Sequence, residues 1–317
     1  SIFYLRVQTN ETMKLEQEYS QYDKHYVMIT NDDSEYFWQS VYEGASEEGE
    51  KTNTYIERLG KNLTVSYTKA ELLEIAIQSQ VDGIIIEADE SNEMVELIDK
   101  AVLAGIPVVT VLNDCTNSER QSYVGVNNYT LGQKYAQQVI EASTNSTKNI
   151  MILIDADTED SSQNIIYSGI RDAIENTSTQ EFPLIVETVS VNTKSTFSAE
   201  ESIRDIFLSK ETLPDIIICL DALNTTCAYQ AAVDYNKVGE INIIGYYESE
   251  TILKAIEHSI IFSTVTIDTK QMGSYCVKSL NEFLNTGYVS DYLTVDINAI
   301  NSSNVEEYLT NDTETVE

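Results

Sequence analysis

Residues 81–111, VDGIIIEADESNEMVELIDKAVLAGIPVVTV, contain one complete strand–helix–strand unit. The run Gly83–Ile86 is apolar throughout, which is typical of a strand that is buried on both faces of a parallel sheet. Ser91 is a suitable N-cap for the helix that follows, and Gly105 closes that helix. Pro107–Val111 then supplies the second strand. The sequence therefore predicts a parallel β-α-β unit at this position.

The same alternation of short apolar strands and amphipathic helices continues along most of the chain. Further strands are predicted at 25–30, 122–126, 149–154, 184–189, 216–220 and 241–245. Repeated βα units of about 30 residues favour an α/β fold with two doubly wound parallel sheets. In such sheets ligands bind at the carboxyl ends of the strands, near the point where the strand order reverses. Candidate functional residues should therefore lie directly after the strands.

The composition agrees with a chain of this class. The protein has 317 residues, 19 Lys and Arg against 52 Asp and Glu, and a formal net charge of −33. This length corresponds to two domains at roughly 150 residues each, and 42% hydrophobic residues suffice to form buried cores. The acidic excess argues against nucleic acids and anionic membrane surfaces as partners, because both attract clustered Lys and Arg.

The sequence lacks the motifs of the common enzyme and cofactor sites. It contains no phosphate-binding glycine loop, no G-x-S-x-G elbow and no H-E-x-x-H pair. The run Asp155–Asp160 resembles the start of a calcium loop, but its sixth position is aspartate where glycine is needed. Ile166 also replaces the glutamate of the twelfth position. We therefore predict no catalytic residue, no metal site and no cofactor.

The four cysteines have neither a pairing pattern nor a zinc-binding pattern. They show no C-x-x-C spacing and no neighbouring histidine, which excludes the usual zinc sites. We expect them to be buried thiols, and a disulfide between two of them is the alternative if the protein is exported. The residues concerned are Cys115, Cys219, Cys227 and Cys276.

Several short motifs follow one another in an order that resembles a known family. They are VDGIII at 81–86, GIPVV at 105–109, YVGVNN at 123–128, IIG at 243–245 and QMG at 271–273. In this order and spacing they are similar to type 1 periplasmic binding proteins of the ribose/galactose class, which share the fold of lactose-repressor-type regulators. The resemblance covers about residues 24–298.

The resemblance implies two α/β lobes, joined by a three-crossover hinge, that close around a small ligand. Lobe 1 would comprise 24–126 with 268–290, and lobe 2 would comprise 127–267 with 291–317. Residues 1–23 would form an N-terminal stalk or leader remnant. The first residues are apolar, which fits either the end of a removed membrane anchor or signal segment or a chain end that packs locally. The N-terminal segment is too short and too poor in Lys and Arg for a helix-turn-helix headpiece, so the repressor branch is not expected.

The resemblance also implies a ligand site built from residues that follow the strands of both lobes. After the first strand the candidates are Asn31, Glu35, Phe37 and Trp38. Aromatic faces would cover the C–H groups of a sugar, and polar groups would bond its hydroxyls. We favour Trp38, the only tryptophan, as the stacking ring and Phe37 as a core residue. The alternative is that both rings only seal the helix onto the sheet.

Most of the charged clamp of the ribose-binding members is replaced in this chain. Leu112-Asn113 stand where an Asp-Arg pair is usual, and Tyr247 stands where an aspartate is usual. The further candidates for ligand binding are Asn113, Asp114, Asn164, Asp221, Asn224, Tyr247 and Asp268. This mixture fits a neutral polyhydroxylated ligand, a sugar other than ribose or a cyclitol. Each asparagine is alternatively an ordinary turn residue after a strand.

The expected function is that of a bacterial, extracytoplasmic solute-binding protein without catalytic activity. It would capture a carbohydrate-like ligand between its lobes for an ABC transporter, in the periplasm or anchored at the cell surface through a removed N-terminal segment. The partner would then be the transporter permease. The alternative is a membrane-tethered sensor ectodomain that reports ligand binding to a signalling partner such as a sensor kinase.

Overall fold

A computed structural model describes the chain in five ranges, 21–30, 35–156, 161–177, 183–208 and 213–311. The chain divides into two compact units. The first contains the chain up to Val126 together with Asp268–Asp296, and the second contains Asn127–Ile267 together with the chain from Ile297 onward. The chain therefore passes from one unit to the other three times.

The first unit is built on a six-stranded sheet. Its strands are β1 (Lys24–Ile29), β2 (Thr54–Arg58), β3 (Gly83–Ile86), β4 (Val108–Val111), β5 (Ser122–Gly125) and β11 (Tyr292–Thr294). Its described helices are α1 (Glu35–Lys51), α2 (Lys69–Gln78), α3 (Asn92–Leu103) and α9 (Thr269–Thr286). The strand order is β11-β5-β4-β3-β1-β2, and all neighbours are parallel.

Both faces of this sheet are covered. Side chains alternate across a strand, so Val27 faces a cluster formed with α2 and α3, whereas the Tyr26 hydroxyl donates to Asn281 Oδ1 of α9 at 2.5 Å. Helices α1 and α9 are in close contact. A side chain at Gly273 would collide with the backbone oxygen of Val41. The apolar run of β3 is buried at every position, as its composition predicts.

The second unit repeats this plan. Its strands are β6 (Asn149–Asp155), β7 (Ile185–Val191), β8 (Ile216–Cys219), β9 (Asn242–Tyr246), β10 (Ser263–Ile267) and β12 (Ile297–Asn301). Its described helices are α4 (Asn128–Ala142), α5 (Ser161–Thr177), α6 (Thr196–Leu208), α7 (Ala222–Asp234), α8 (Glu250–Glu257) and α10 (Val305–Asn311). The strand order is β12-β10-β9-β8-β6-β7, in which only β12 is antiparallel to its neighbour.

The second unit also has a helix pair in close contact. Gly132 of α4 and Gly169 of α5 face each other, and a side chain at Gly132 would collide with the Ile166 carbonyl. The buried hydroxyl of Tyr135 on α4 donates to the Cys219 carbonyl at the end of β8, at 3.2 Å. The opposite face of the sheet carries an apolar cluster, which joins the sheet to α6, α7, α8 and α10.

The predicted α/β class with two doubly wound parallel sheets is confirmed, and one predicted boundary is wrong. The resemblance predicts that the chain from 291 onward lies in the second lobe. The structure instead pairs Tyr292–Thr294 with β5 of the first unit, and the Tyr123 N–H donates to the Asp291 carbonyl at 2.9 Å. The third crossover therefore falls after Asp296, because a short edge strand intervenes.

The cysteines are buried free thiols, as the sequence analysis expected, and no two of the four form a disulfide. Within the described ranges no helix is long and apolar enough to cross a membrane. Most of the predicted stalk, 1–23, lies outside the described residues, as does Asn31. The side chain of Glu35, the first residue of α1, also lies outside them.

Candidate functional site

Each sheet has one point at which its strand order reverses. In the first unit this point lies between β1 and β3, and in the second unit it lies between β6 and β8. Ligands of open parallel sheets bind outside the carboxyl ends of the strands at such points. The residues that follow β3 and β8 flank these points, and those that follow β4 and β9 lie one strand further along each sheet, so both pairs supply candidate ligand contacts.

A buried carboxylate lies at the reversal point of the first sheet. Glu87 directly follows β3 and is 5% exposed, and its N–H donates to the Ile29 carbonyl of β1 at 2.9 Å. Its Oε1 accepts a hydrogen bond from Asn113 Nδ2 at 3.1 Å, and Lys69 Nζ of α2 lies 3.8 Å from its Oε2. Glu87 is not among the site residues predicted from the sequence, although its position directly after a buried strand is a signal that could have found it.

Asn113 lies in a tight turn after β4. The preceding residue, Leu112, has a φ of 64°, in the left-handed region that residues other than glycine rarely adopt. The neighbouring strand β5 holds this turn, because the Leu112 carbonyl accepts from the Tyr123 hydroxyl at 2.7 Å and its N–H donates to the Val124 carbonyl at 2.9 Å. The side chain of Asn113 is exposed.

Asp114, the next candidate, is bound by donors of its own unit. Arg120 donates to both carboxylate oxygens, from Nε and Nη2, each at 2.7 Å. Thr110 Oγ1 donates at 2.6 Å, and the Cys115 N–H donates at 2.8 Å. Burial opposes ionisation, but these hydrogen bonds and the Arg120 charge outweigh it and hold the pKa of Asp114 below its usual value. This carboxylate therefore fixes the loop between β4 and β5.

The structure reverses the roles expected for Phe37 and Trp38. Trp38 is 2% exposed and lies on the buried stripe of α1 that also contains Val41 and Ala45. Phe37 is half-buried, and its ring meets Trp38 edge-on at 4.9 Å between centroids. Trp38 is thus the buried packing residue, and Phe37 is the ring that remains partly open. Tyr36, which the sequence analysis did not select, is 84% exposed beside them.

In the second unit, Asp221 caps α7 at the reversal point. It accepts hydrogen bonds from the N–H and from Nδ2 of Asn224, at 2.7 and 2.6 Å. Burial is the largest influence and raises the pKa of Asp221; the bonds from Asn224 oppose the rise, and the charge of Asp155 adds to it. Asn224 is fully buried, and its Oδ1 has no partner among the described residues. Asn224 is therefore a buried helix residue and is not open to a ligand.

Tyr247 repeats in the second unit the backbone geometry of Leu112. It directly follows β9, has a φ of 80°, and donates its N–H to the Val265 carbonyl of β10 at 3.0 Å. Its own carbonyl accepts from Thr264 Oγ1 at 2.7 Å. The ring is half-buried, with its centroid 6.4 Å from that of Tyr246.

The last two candidates occupy different settings. Asn164 is exposed in the first turn of α5. Asp268 is the N-cap of α9: its carboxylate accepts from the Gln271 N–H at 2.8 Å, and its own N–H donates to the Asp296 carbonyl at 3.0 Å. Asp268 therefore begins α9 at the point where the chain re-enters the first unit.

Comparison with known families identifies the chain. A family model described as the periplasmic binding protein domain matches residues 26–287. The chain belongs to the periplasmic binding protein family. The resemblance inferred from the order of the motifs is confirmed. No curated protein sequence matches the chain.

Solved structures share the fold of this periplasmic binding protein. AraP, an arabinose binding protein from Geobacillus stearothermophilus, matches with a TM-score of 0.76 and 19% identity, over 90% of this chain and 99% of that one. A sugar-binding protein of a sugar ABC transporter from Bacillus halodurans gives 0.76 and 22%, over 90% and 100%. The XylFII-LytSN complex gives 0.68 and 23%, over 88% and 98%. At such identities the likeness shows the fold alone.

Four candidates in this periplasmic binding protein are neutral and at least partly exposed, namely Phe37, Asn113, Asn164 and Tyr247. Three acidic candidates are also half-buried, but they already accept hydrogen bonds from donors of their own units: Asp114, Asp221 and Asp268. Amide and phenol groups both donate and accept hydrogen bonds, and aromatic rings cover C–H surfaces. Within the described ranges no group of three or more His, Cys, Asp or Glu side chains is placed to hold a metal ion. Residues 157–160 of the calcium-like run lie outside those ranges.

Proposed function

We propose that this protein is an extracytoplasmic solute-binding protein that captures a small neutral polyhydroxylated ligand, a sugar or a cyclitol, for import by an ABC transporter. Membership of the periplasmic binding protein family supports the receptor function and the extracytoplasmic location. The chemistry of the open residues supports the ligand class, because amides and a phenol match hydroxyl groups while a half-buried phenylalanine matches a C–H face.

We further propose that the ligand is bound and released unchanged. Three carboxylates that follow strands β3, β4 and β8 already accept hydrogen bonds from protein donors. Glu87 accepts from Asn113, Asp114 from Arg120, and Asp221 from Asn224. A general acid or base must instead reach the proton that it transfers. Because these carboxylates hold parts of the polypeptide in place, we favour binding without catalysis.

The test of this proposal is a thermal-shift and calorimetric screen with L-arabinose, D-ribose, D-galactose, D-allose and myo-inositol. A ligand at 100 times its Kd should stabilise the protein by about 2.7 kcal/mol and so raise Tm. Asn113→Ala and Asn164→Ala should each weaken binding about tenfold, the value of one lost hydrogen bond. Asn176→Ala, at the exposed far end of α5, is the matched control and should bind as the unaltered protein does. Absence of a Tm shift with every sugar and polyol of the panel would overturn the proposal.

A second candidate function is that of a sensor ectodomain that passes ligand binding to a signalling partner. The observation that favours it is that one structural neighbour was solved as a complex, XylFII-LytSN. The two functions differ in what is lost when the gene is deleted from its source organism. Loss of uptake of the radiolabelled sugar supports import. Retained uptake with loss of a sugar-dependent transcriptional response supports sensing.

A further inference from the structure

At the reversal point of the first sheet, a buried carboxylate faces the side chain of an open candidate residue. We propose that Glu87 is a positioning residue that fixes the amide of Asn113, so that Asn113 presents its Oδ1 to the ligand as a hydrogen-bond acceptor. This inference rests on the proposed function, in which Asn113 contacts the ligand. It assigns Glu87 a role that is exerted through Asn113. It also predicts which ligand groups Asn113 binds.

The orientation of the Asn113 amide follows from the chemistry of its partner. Carboxylate oxygens accept hydrogen bonds and do not donate them, and an amide donates only through its nitrogen. The 3.1 Å contact with Glu87 Oε1 must therefore involve Asn113 Nδ2. The two substituents of a planar amide point in different directions, so Oδ1 is turned away from Glu87. Because the Asn113 side chain is exposed, this oxygen is available to a ligand, beside the second hydrogen of Nδ2, which the bond to Glu87 does not use.

Glu87 itself is held firmly enough to impose this orientation. It is 5% exposed, its N–H is bonded to β1, and Lys69 Nζ lies 3.8 Å from its second carboxylate oxygen. A second hydrogen bond joins the two loops, because the Ala88 N–H donates to the Asn113 carbonyl at 3.2 Å. The main chain of Asn113 is thus fixed by one bond and its side chain by another, and neither has to reorganise when a ligand arrives.

The consequence for recognition is that Asn113 Oδ1 takes ligand groups that donate a hydrogen bond. A sugar or cyclitol hydroxyl can donate to Asn113 Oδ1. A ligand carboxylate or an ether oxygen cannot, and a carboxylate would in addition be repelled by the nearby charge of Glu87. We therefore expect D-galactose to bind more tightly than D-galacturonate if its hydroxymethyl group lies at this point. The alternative role of Glu87 is structural, as a counter-charge for Lys69 alone.

The test exchanges the hydrogen-bond donor and acceptor between positions 113 and 87. Asn113→Asp places two carboxylates against each other and should weaken binding of the best sugar of the panel at least about tenfold. The double variant Glu87→Gln with Asn113→Asp restores the hydrogen bond with its direction reversed and keeps the net charge. It should recover affinity to within about threefold of the unaltered protein. Glu74→Gln, which removes one negative charge from a side chain paired with Lys100, is the control and should change nothing.

A readout without ligand separates this inference from the proposed function. In 15N NMR spectra the side-chain amide of Asn113 is assigned by its loss in Asn113→Asp. Removing the acceptor with Glu87→Leu should shift this signal and speed its hydrogen exchange roughly tenfold. An unchanged signal, or a double variant that binds no better than Asn113→Asp, would overturn the positioning role. If no sugar binds any variant while the signal responds as expected, the proposed function fails and the positioning of the amide stands.

Discussion

The two units place the same backbone geometry at matching strands and fill it with different side chains. In the strand order of each sheet, β4 and β9 occupy the same place, and the next residue, Leu112 or Tyr247, has a positive φ. Each carbonyl accepts from a hydroxyl of the neighbouring strand, from Tyr123 in one unit and from Thr264 in the other. The left-handed conformation costs a residue with a side chain about 1–2 kcal/mol, and it persists where the surroundings hold it.

The reversal points differ more than the turns do. In the first unit a carboxylate, Glu87, lies beside a lysine and an amide. In the second unit the carboxylate of Asp221 caps a helix, and the charged group that perturbs it is Asp155, another acid. The fold therefore keeps the position of the turns in both units, whereas the electrostatics of each edge are set independently. Aromatic side chains, acidic side chains and the strained residues each give a way to test this difference.

The largest contrast should come from the aromatic residues. Trp38→Ala removes a buried indole of the first unit and should lower the free energy of unfolding by about 3–5 kcal/mol. Tyr247→Ala removes a half-buried ring of the second unit and should cost clearly less stability while weakening sugar binding about tenfold. Urea unfolding and calorimetric titration of both variants measure the two effects. If Trp38→Ala folds normally and only binds less well, the assignment of Trp38 to the core is wrong.

The sequence predicts the fold well because apolar runs and helix caps are local signals. The run Gly83–Ile86 needs no partner to be recognised as a buried parallel strand. Edge strand β11 was missed because three residues with an exposed, partly polar pattern carry no periodicity. Trp38 was misassigned because adjacent helix positions point about 100° apart and only packing decides which one is buried. The role of Asp114 depends on its hydrogen bonds with Arg120, and the sequence does not show that the loop between them brings the two side chains together.

The acidic residues should give the second-largest contrast. Asp114→Asn leaves the largely buried Arg120 without its two-pronged partner and should cost about 3 kcal/mol at neutral pH. Asp221→Asn keeps a good N-cap and removes a buried charge, and the Asn224 amide has to turn round so that its Oδ1 accepts from the new Nδ2. It should leave stability unchanged or raise it by on the order of 1 kcal/mol.

The pH dependence of these two aspartates should have opposite signs. The folded-state pKa of Asp114 lies below the unfolded value of about 3.9, so its stabilisation is present above that pH and is lost as pH falls. The folded-state pKa of Asp221 is raised, so its contribution is present below about pH 3.9 and is lost as pH rises through the folded-state pKa. The free energy of unfolding of each variant is measured from acidic to neutral pH and subtracted from that of the unaltered protein. The difference gives the contribution of each aspartate. Slopes of the same sign would contradict the assigned environments.

The smallest contrast concerns the two strained turns. Asparagine tolerates the left-handed region better than leucine or tyrosine. Leu112→Asn should therefore raise the free energy of unfolding by about 0.5–1 kcal/mol, since the side chain that it replaces is not part of the buried core. Tyr247→Asn gains the same relief but loses packing against the apolar cluster of the second unit, so its net effect should be a loss. If both variants were more stable, the Tyr247 ring would contribute nothing to the stability of its own unit. If both were less stable, the neighbouring strands, and not the side chains, would set the cost of these turns.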